Sequence, residues 1–540
     1  MRLKNILPLL VSLGLVLFLL RDLFNVGFPQ SHDGEMHLAR LANLYLAVRD
    51  HHLPVRWAGN LNYMYGFPIF NFNYYLTELL AVPLFSLGNL SIEWSLKLVC
   101  MLAMLAAPLL WYFFLKSRFG RWPAFLAAVF AATAVYPWVN FLVRGSTGEV
   151  LAWPLLVLNL LLIDLFIKKP SRWRFLLLTG GLIAFLLCHN ISVMFGLPLL
   201  IGFNALQLIK QPRRLWLVTG LSFLLAMGMS LFFWLPLILE QTYTIIHQVQ
   251  PPTRFLDHFP TLWQLFFSKW GYGFSFASPG DGLSFNLGPG LWLAVGLAVI
   301  AKKKDRFVHY FLTAFLVFLF FSLPISKWFW LHLPFIYNTQ FPWRLLLFMS
   351  IAGIFLAGFA AKRRPCLTAA AAAVAVIYAL INIHSQGFIH AADMNYFLYQ
   401  FNTTTESEHQ PQWFNLQNSL KLAEKPDKVF NAAGYQVNVW KTQEHVYSVT
   451  VRQDQPVFER TAYFHGWEVA VDGRPAPVIY EDADYPGLLG YRLSAGTHQV
   501  VSRFTDHTPA RLLGDRISLL SLNLFGLIFI FFPKKLKLSK

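Results

Sequence analysis

Apolar runs of bilayer length recur along most of this chain, and the connectors between them are of two kinds. One set is short and rich in Lys and Arg; the other is long and rich in aromatic, Asn, Gly and acidic residues. About 20 apolar residues span the hydrocarbon layer, so the pattern predicts a polytopic α-helical membrane protein. About twelve helices are expected, at roughly 5–22, 95–115, 122–141, 149–167, 174–189, 192–209, 215–238, 287–301, 306–323, 343–361, 366–384 and 514–532. Near the C-terminus the period changes to alternation in Val446 to Arg452, Trp467 to Val471 and His498 to Phe504, which predicts strands. With turns at Asp472-Gly473 and Ala495-Gly496, residues of about 430–508 are expected to form an antiparallel β-sandwich. The polar stretch Asn402 to Asn418 reads as a connector, so the sandwich should meet the bundle only at its two ends.

The basic clusters set the expected topology. Arg2 and Lys4, Lys116 to Arg121, Lys168 to Arg174, Lys210 to Arg214, Lys302 to Arg306, Lys362 to Arg364 and Lys534 to Lys540 belong in the cytoplasm by the positive-inside rule. Crossings between successive clusters must then be even in number. The apolar stretch Leu76 to Leu90 would invert every later cluster if it spanned, so it is expected to dip into the outer interface. Three parts follow: a bundle over 1–384 with an outer loop at 23–94, an extracytoplasmic domain over 385–513, and a last helix with basic tail over 514–540. The first run, Ile6 to Leu20, has no small-residue cleavage site after it and reads as a retained signal anchor.

Composition agrees: 56% of residues are hydrophobic and only 13% charged. The net charge of +17 lies in connectors rather than along one soluble face, which argues against a nucleic-acid partner. The partner is the bilayer. Cys100, Cys188 and Cys366 have neither disulfide nor zinc spacing.

Candidate chemistry begins just beyond the first helix, in Ser31 to His37 (SHDGEMH). Leu38, Leu41, Tyr45 and Val48 then repeat at helical spacing with Arg40, Asn43 and Arg49 off that stripe, so an amphipathic helix along the outer surface is expected. Asp33 at its start is either a helix cap or an outward general base. With His37 one turn on, it also has the spacing to hold a divalent cation such as Mg or Mn, the one cofactor the residues suggest. Arg144 and Glu149 flank a Gly-Ser-Thr-Gly turn, as a phosphate-binding arginine or as an ion pair closing a loop. His189 and Asn190 sit in a short turn at the outer end of the fifth helix, and Arg344 follows Pro342 and Trp343 at the start of another. Rings and amides at Asn60, Asn71, Trp270, Tyr272 and Gln340 suit sugar faces and hydroxyls, or belong to the aromatic belt of any membrane interface.

No phosphate loop or dinucleotide fingerprint is present to bind activated nucleotides, so a donor on the outer face would be lipid-linked. The acid-bearing first outer loop, continuing as HLARLANLYLAVRDHHLPVRWAGNLNYMYGFPIFNFNYYL, resembles the GT-C superfamily of polyprenyl-phosphate-sugar glycosyltransferases. More closely the chain is similar to bacterial YfhO-type membrane proteins and relatives labelled "6-pyruvoyl-tetrahydropterin synthase-related", whose terminal sandwich is echoed by YFHGWEVAVDG, PGLLGYRL and AGTHQVVSRF. Nothing in the chain matches a soluble pterin enzyme's zinc site.

The resemblance implies a bacterial cytoplasmic-membrane enzyme with its active site on the extracytoplasmic face. It would transfer a sugar, with inversion, from a polyprenyl-phosphate donor to a cell-envelope glycan or lipid acceptor. Asp33 would be the base and Glu35 its neighbour, with Arg144, Arg344 and His189 around the donor phosphate. Arg40, Arg56, Asn60, Asn71, Glu149, Asn190, Trp270, Tyr272 and Gln340 would line the substrate. Family acids are adjacent or alternate, and the segment HDGE fits only the alternating form. Two other classes compete. A transporter or flippase of lipid-linked sugars would show broken helices or half-repeats with midplane charges; a scaffold for envelope assembly would use the sandwich and ignore SHDGEMH.

Overall fold

A computed structural model describes residues 7–249, 253–276, 282–333, 336–404, 406–423 and 426–533. It is mostly helical. Each of the twelve apolar segments carries a helix, and among the described residues seven of these are long and apolar enough to cross a membrane. Two more qualify if each bent pair counts as one span. Arg213–Met229 and Leu231–Tyr243 meet at 59°, and Arg306–Ser322 and Pro324–His332 at 83°. The second break falls where Pro324 removes a backbone donor. Leu7–Leu19, Arg172–Leu186 and Pro289–Ile300 are shorter than a straight crossing requires. Leu76–Ser86, with 11 residues, rises only about 16 Å and is also too short to span.

Helix ends follow local chemistry. The Ser91 hydroxyl accepts from the Trp94 N–H to open Ile92–Phe119, and Asp305 accepts from the N–H groups of Phe307 and Val308 to open Arg306–Ser322. Several basic connectors gather at one end of the bundle. Arg118 and Lys168 both bond Asp164, Lys168 also reaches Ser117, the Arg118 guanidinium lies over the Phe307 ring, and Arg363 donates to the Lys303 carbonyl. The helix Thr147–Lys168, about 33 Å long by its 22 residues, runs from that end to the opposite one.

The helix Gly34–Arg49 departs from expectation. Arg40 and Asn43 are not on a solvent face but buried, with Leu38, Leu41 and Leu44 beside them. Arg40 donates to the Thr403 hydroxyl at 2.9 Å and to its carbonyl. Asn43 accepts from the Asn60 N–H at 3.0 Å.

The C-terminal region holds eight strands: β1 (Val429–Phe430), β2 (Gly434–Trp440), β3 (Glu444–Val451), β4 (Gln455–Ala462), β5 (Trp467–Val471), β6 (Arg474–Ala476), β7 (Leu488–Leu493) and β8 (Gly496–Phe504). They form two antiparallel sheets, ordered β2-β3-β8-β5-β6 and β1-β4-β7. Asp472 and Gly473 join β5 to β6, both with positive φ (50° and 77°), as a two-residue hairpin of this twist requires.

Attachment of the sheets only at their ends is overturned. Trp57, Tyr65 and Phe72 of the first outer loop are buried in the same apolar cluster as Tyr447, Phe458, Trp467 and Phe504. The Trp57 ring lies 5.3 Å from Phe504 and 5.8 Å from Trp467, and the Ala462 N–H donates to the Tyr65 carbonyl at 2.7 Å. The loop thus contributes three of the rings buried in the apolar cluster of the sheets.

Candidate functional site

Two chain segments far apart in sequence meet where the first outer loop touches the third helix. That helix ends in a π turn, Asn140–Arg144, a widening common at functional positions. Beyond it, Gly145 has φ 69°, and a side chain there would strike the backbone of Gly34. This close approach lets His32 and Asp33 donate their N–H groups to the carbonyls of Val143 and Arg144, each at 2.9 Å.

A cavity of about 1090 Å³ opens at this junction. Asp33, His37, Arg40, Arg144, His189 and Arg344 reach its polar wall. Its other side is apolar, with Leu197 from Asn190–Leu208 and Met227, Leu231 and Ile238 from the helices on either side of the 59° bend.

Asp33 occupies the cap position of Gly34–Arg49, yet its side chain makes no cap hydrogen bond. Among the described residues no hydrogen bond or ion pair engages its carboxylate. Helix capping therefore does not account for it. Glu35, two residues on, is exposed and off the cavity wall. The Nδ1–H of His37 donates to Glu78 at 2.5 Å, with the Thr147 hydroxyl 3.1 Å away. Only Nε2 remains for a ligand. Among the described residues, no group of three or more His, Cys, Asp or Glu is placed to hold a metal ion.

Arg144 and Glu149 form the ion pair that their spacing allowed, at 2.8 Å and fully buried. Arg144 also donates to Asn140 Oδ1 (2.6 Å) and the Tyr136 hydroxyl (3.2 Å), and stacks over Trp343. Glu149 accepts from Tyr136 and Asn140 besides. Arg344 approaches the same carboxylate at 3.5 Å and His189 at 3.8 Å. Two guanidiniums thus share one contacting carboxylate, which leaves cationic capacity at the cavity wall. His189 caps Asn190–Leu208 by accepting the Ser192 N–H at Nδ1, 3.1 Å away, which turns Nε2 toward Glu149.

Asn190 and Gln340 also line the cavity; Glu149 lies behind Arg144. Arg56, Asn60, Asn71, Trp270 and Tyr272 do not line it. Arg56 is a clamp, held by Asp506 (2.5 Å), Asp515 (2.9 Å) and the Phe232 carbonyl. Asn60 donates to the Phe397 carbonyl, and Asn71 to Glu240, itself bound to Arg511. The Tyr272 carbonyl accepts from His32 Nε2 at 3.0 Å, while its hydroxyl donates to the His384 carbonyl at 2.6 Å. Burial holds the His32 imidazole below its ordinary pKa.

Residues that periodicity did not single out complete the wall: Asn73, Tyr74, Trp343, Thr403, Glu408 and His409. The last three lie in the stretch read as a connector, where polarity alone does not separate a solvent loop from a cavity rim. No family model matches the chain, and no curated protein matches it in sequence.

Proposed function

We propose that this chain is a glycosyltransferase of GT-C-like architecture in the cytoplasmic membrane of a bacterium. It would have about twelve crossings and a C-terminal β-sandwich, with the cavity on the extracytoplasmic face. The reaction is transfer of a sugar from a polyprenyl-phosphate donor to a cell-envelope glycan or lipid acceptor. One observation carries the reading: an unengaged Asp33 carboxylate shares a cavity with Arg144 and Arg344, and the far wall is apolar enough for a lipid chain.

The chemistry fits those side chains. The acceptor oxygen bonds to the anomeric carbon while the bond from that carbon to the phosphate oxygen breaks. Asp33 takes the acceptor's proton. The departing phosphate gains a negative charge, which Arg144 and Arg344 stabilise. The bilayer holds the donor in register with the cavity. The test is purified protein in lipid with a panel of polyprenyl-phosphate hexoses, scoring release of polyprenyl phosphate; no release with any hexose would reject the reading.

A second reading, movement of lipid-linked sugars across the bilayer, is favoured by one feature. The bent pair Arg213–Met229 and Leu231–Tyr243 is a broken helix that lines the cavity. Translocation of a labelled lipid in vesicles without turnover would select it.

A further inference from the structure

Four buried polar atoms of the cavity-lining residues have no hydrogen-bond partner among the described residues: Oε2 of Glu406, which is ion-paired with Arg254 at 2.5 Å, and Nε of Arg344, Oδ1 of Asn190 and Nδ1 of His409. Such atoms are costly unless a ligand or water completes them. Together the last three specify what that ligand offers.

Asn190 is fixed in orientation. Its Nδ2 donates to the Phe72 carbonyl at 3.0 Å, so a flipped amide would set oxygen against oxygen, and Oδ1 is left needing a donor. His409 stacks on the ring of the same Phe72, centroids 5.1 Å apart and planes within 17°. Phe72 is itself held edge-on by Phe464 of the sheet region, 5.8 Å away. Asn190 and His409 therefore form one local pair built around a single residue. Burial pushes the His409 imidazole down to about 4, so it is neutral near pH 7 and bonds a hydroxyl without opposing the nearby arginines.

Arg344 Nε, with Glu149 at 3.5 Å, calls for an acceptor. A bare phosphate supplies acceptors only and leaves Asn190 unsatisfied. A hydroxylated ring joined to a phosphate supplies both kinds.

We infer that His409 and Asn190 form a sugar-recognition subsite of the cavity, reading hydroxyls of the transferred hexose, with the loop around His409 as part of the binding site. This rests on the reading that the cavity takes a lipid-linked sugar.

The test compares two probes on the full chain in lipid: polyprenyl phosphate without sugar, and polyprenyl-phosphate hexose, with Kd measured by equilibrium titration. Wild type should bind the hexose lipid more tightly. His409→Phe keeps the stack on Phe72 and removes both nitrogens; it should weaken hexose-lipid binding roughly five- to a hundredfold and leave the sugar-free lipid unchanged. If that variant does not fold, Asn190→Ala carries the same comparison. Equal affinity of wild type for both lipids, or a preference that survives the substitution, would overturn the subsite while leaving the phosphate site standing. Binding of neither lipid by wild type would remove the glycosyl-transfer reading itself, and the subsite with it.

Discussion

The backbone N–H of Asp33 donates to the carbonyl of Arg144 at 2.9 Å, joining two candidate residues that lie 111 positions apart in the chain. Neither side chain is used in this bond. The backbone thus fixes the spacing of the two groups and leaves the carboxylate on the cavity wall, while the guanidinium is turned by Asn140 and Glu149.

Asp33→Asn should keep the fold, because Asn is as good at a helix N-terminus and the wild-type carboxylate makes no cap bond. Loss of a general base should lower the transfer rate by about a hundredfold to ten-thousandfold. Single-turnover release of polyprenyl phosphate checks this. Glu35→Gln, changing an exposed group off the cavity wall, should leave the rate within about twofold.

Arg56 is almost fully buried between Asp506, Asp515 and the Phe232 carbonyl, so Arg56→Met leaves two carboxylates without their cation. The expected loss is about 3 kcal/mol of stability, read as a lower midpoint of unfolding in detergent.

The sheets should not fold alone. A fragment of residues 425–510 lacks Trp57, Tyr65 and Phe72, which complete its apolar cluster. We expect no cooperative transition from that fragment by circular dichroism. In the full chain, Trp57→Ala should cost about 3–5 kcal/mol.

His52 and His409 are buried, and burial lowers each pKa from the ordinary 6.5 to about 4. Between those values the unfolded chain binds protons that the folded chain does not. Their contribution to stability is therefore full above pH 6.5 and falls as pH drops toward 4, by roughly 3 kcal/mol per histidine at most. Unfolding midpoints from pH 7 to pH 4.5 should decline, and His52→Gln with His409→Gln should flatten that decline.

The basic connectors should be cytoplasmic. A cysteine at Gln211, which is exposed, should resist an impermeant thiol reagent in intact cells, while one at Glu481, exposed beyond β6, should react. Labelling at Gln211 from outside would invert the map.

Elements whose cause is local could be read from the sequence. The length of each apolar run predicted a helix, because a segment in hydrocarbon must satisfy its own backbone. Alternation predicted β3, β5 and β8 within a residue or two, because strand side chains point to opposite faces. Asp33, Arg144, His189 and Arg344 stood out as polar groups at helix ends in apolar surroundings, and all four reach one cavity wall. What depends on partners remote in sequence was settled only by packing. Arg56 reads as a ligand contact until it meets Asp506, 450 residues away, and becomes a clamp. Nothing local marks Trp57 and Tyr65 as partners of the sheets; they become so only because the fold buries them in one apolar cluster with Tyr447, Phe458 and Trp467. Asp33 and Glu35 both carry a carboxylate and differ in direction: two residues correspond to roughly 200° around a helix, so the cap residue lines the cavity while Glu35 points to the exposed side. Periodicity encodes which face of an element is buried; which distant residue it is buried against follows from the three-dimensional packing alone.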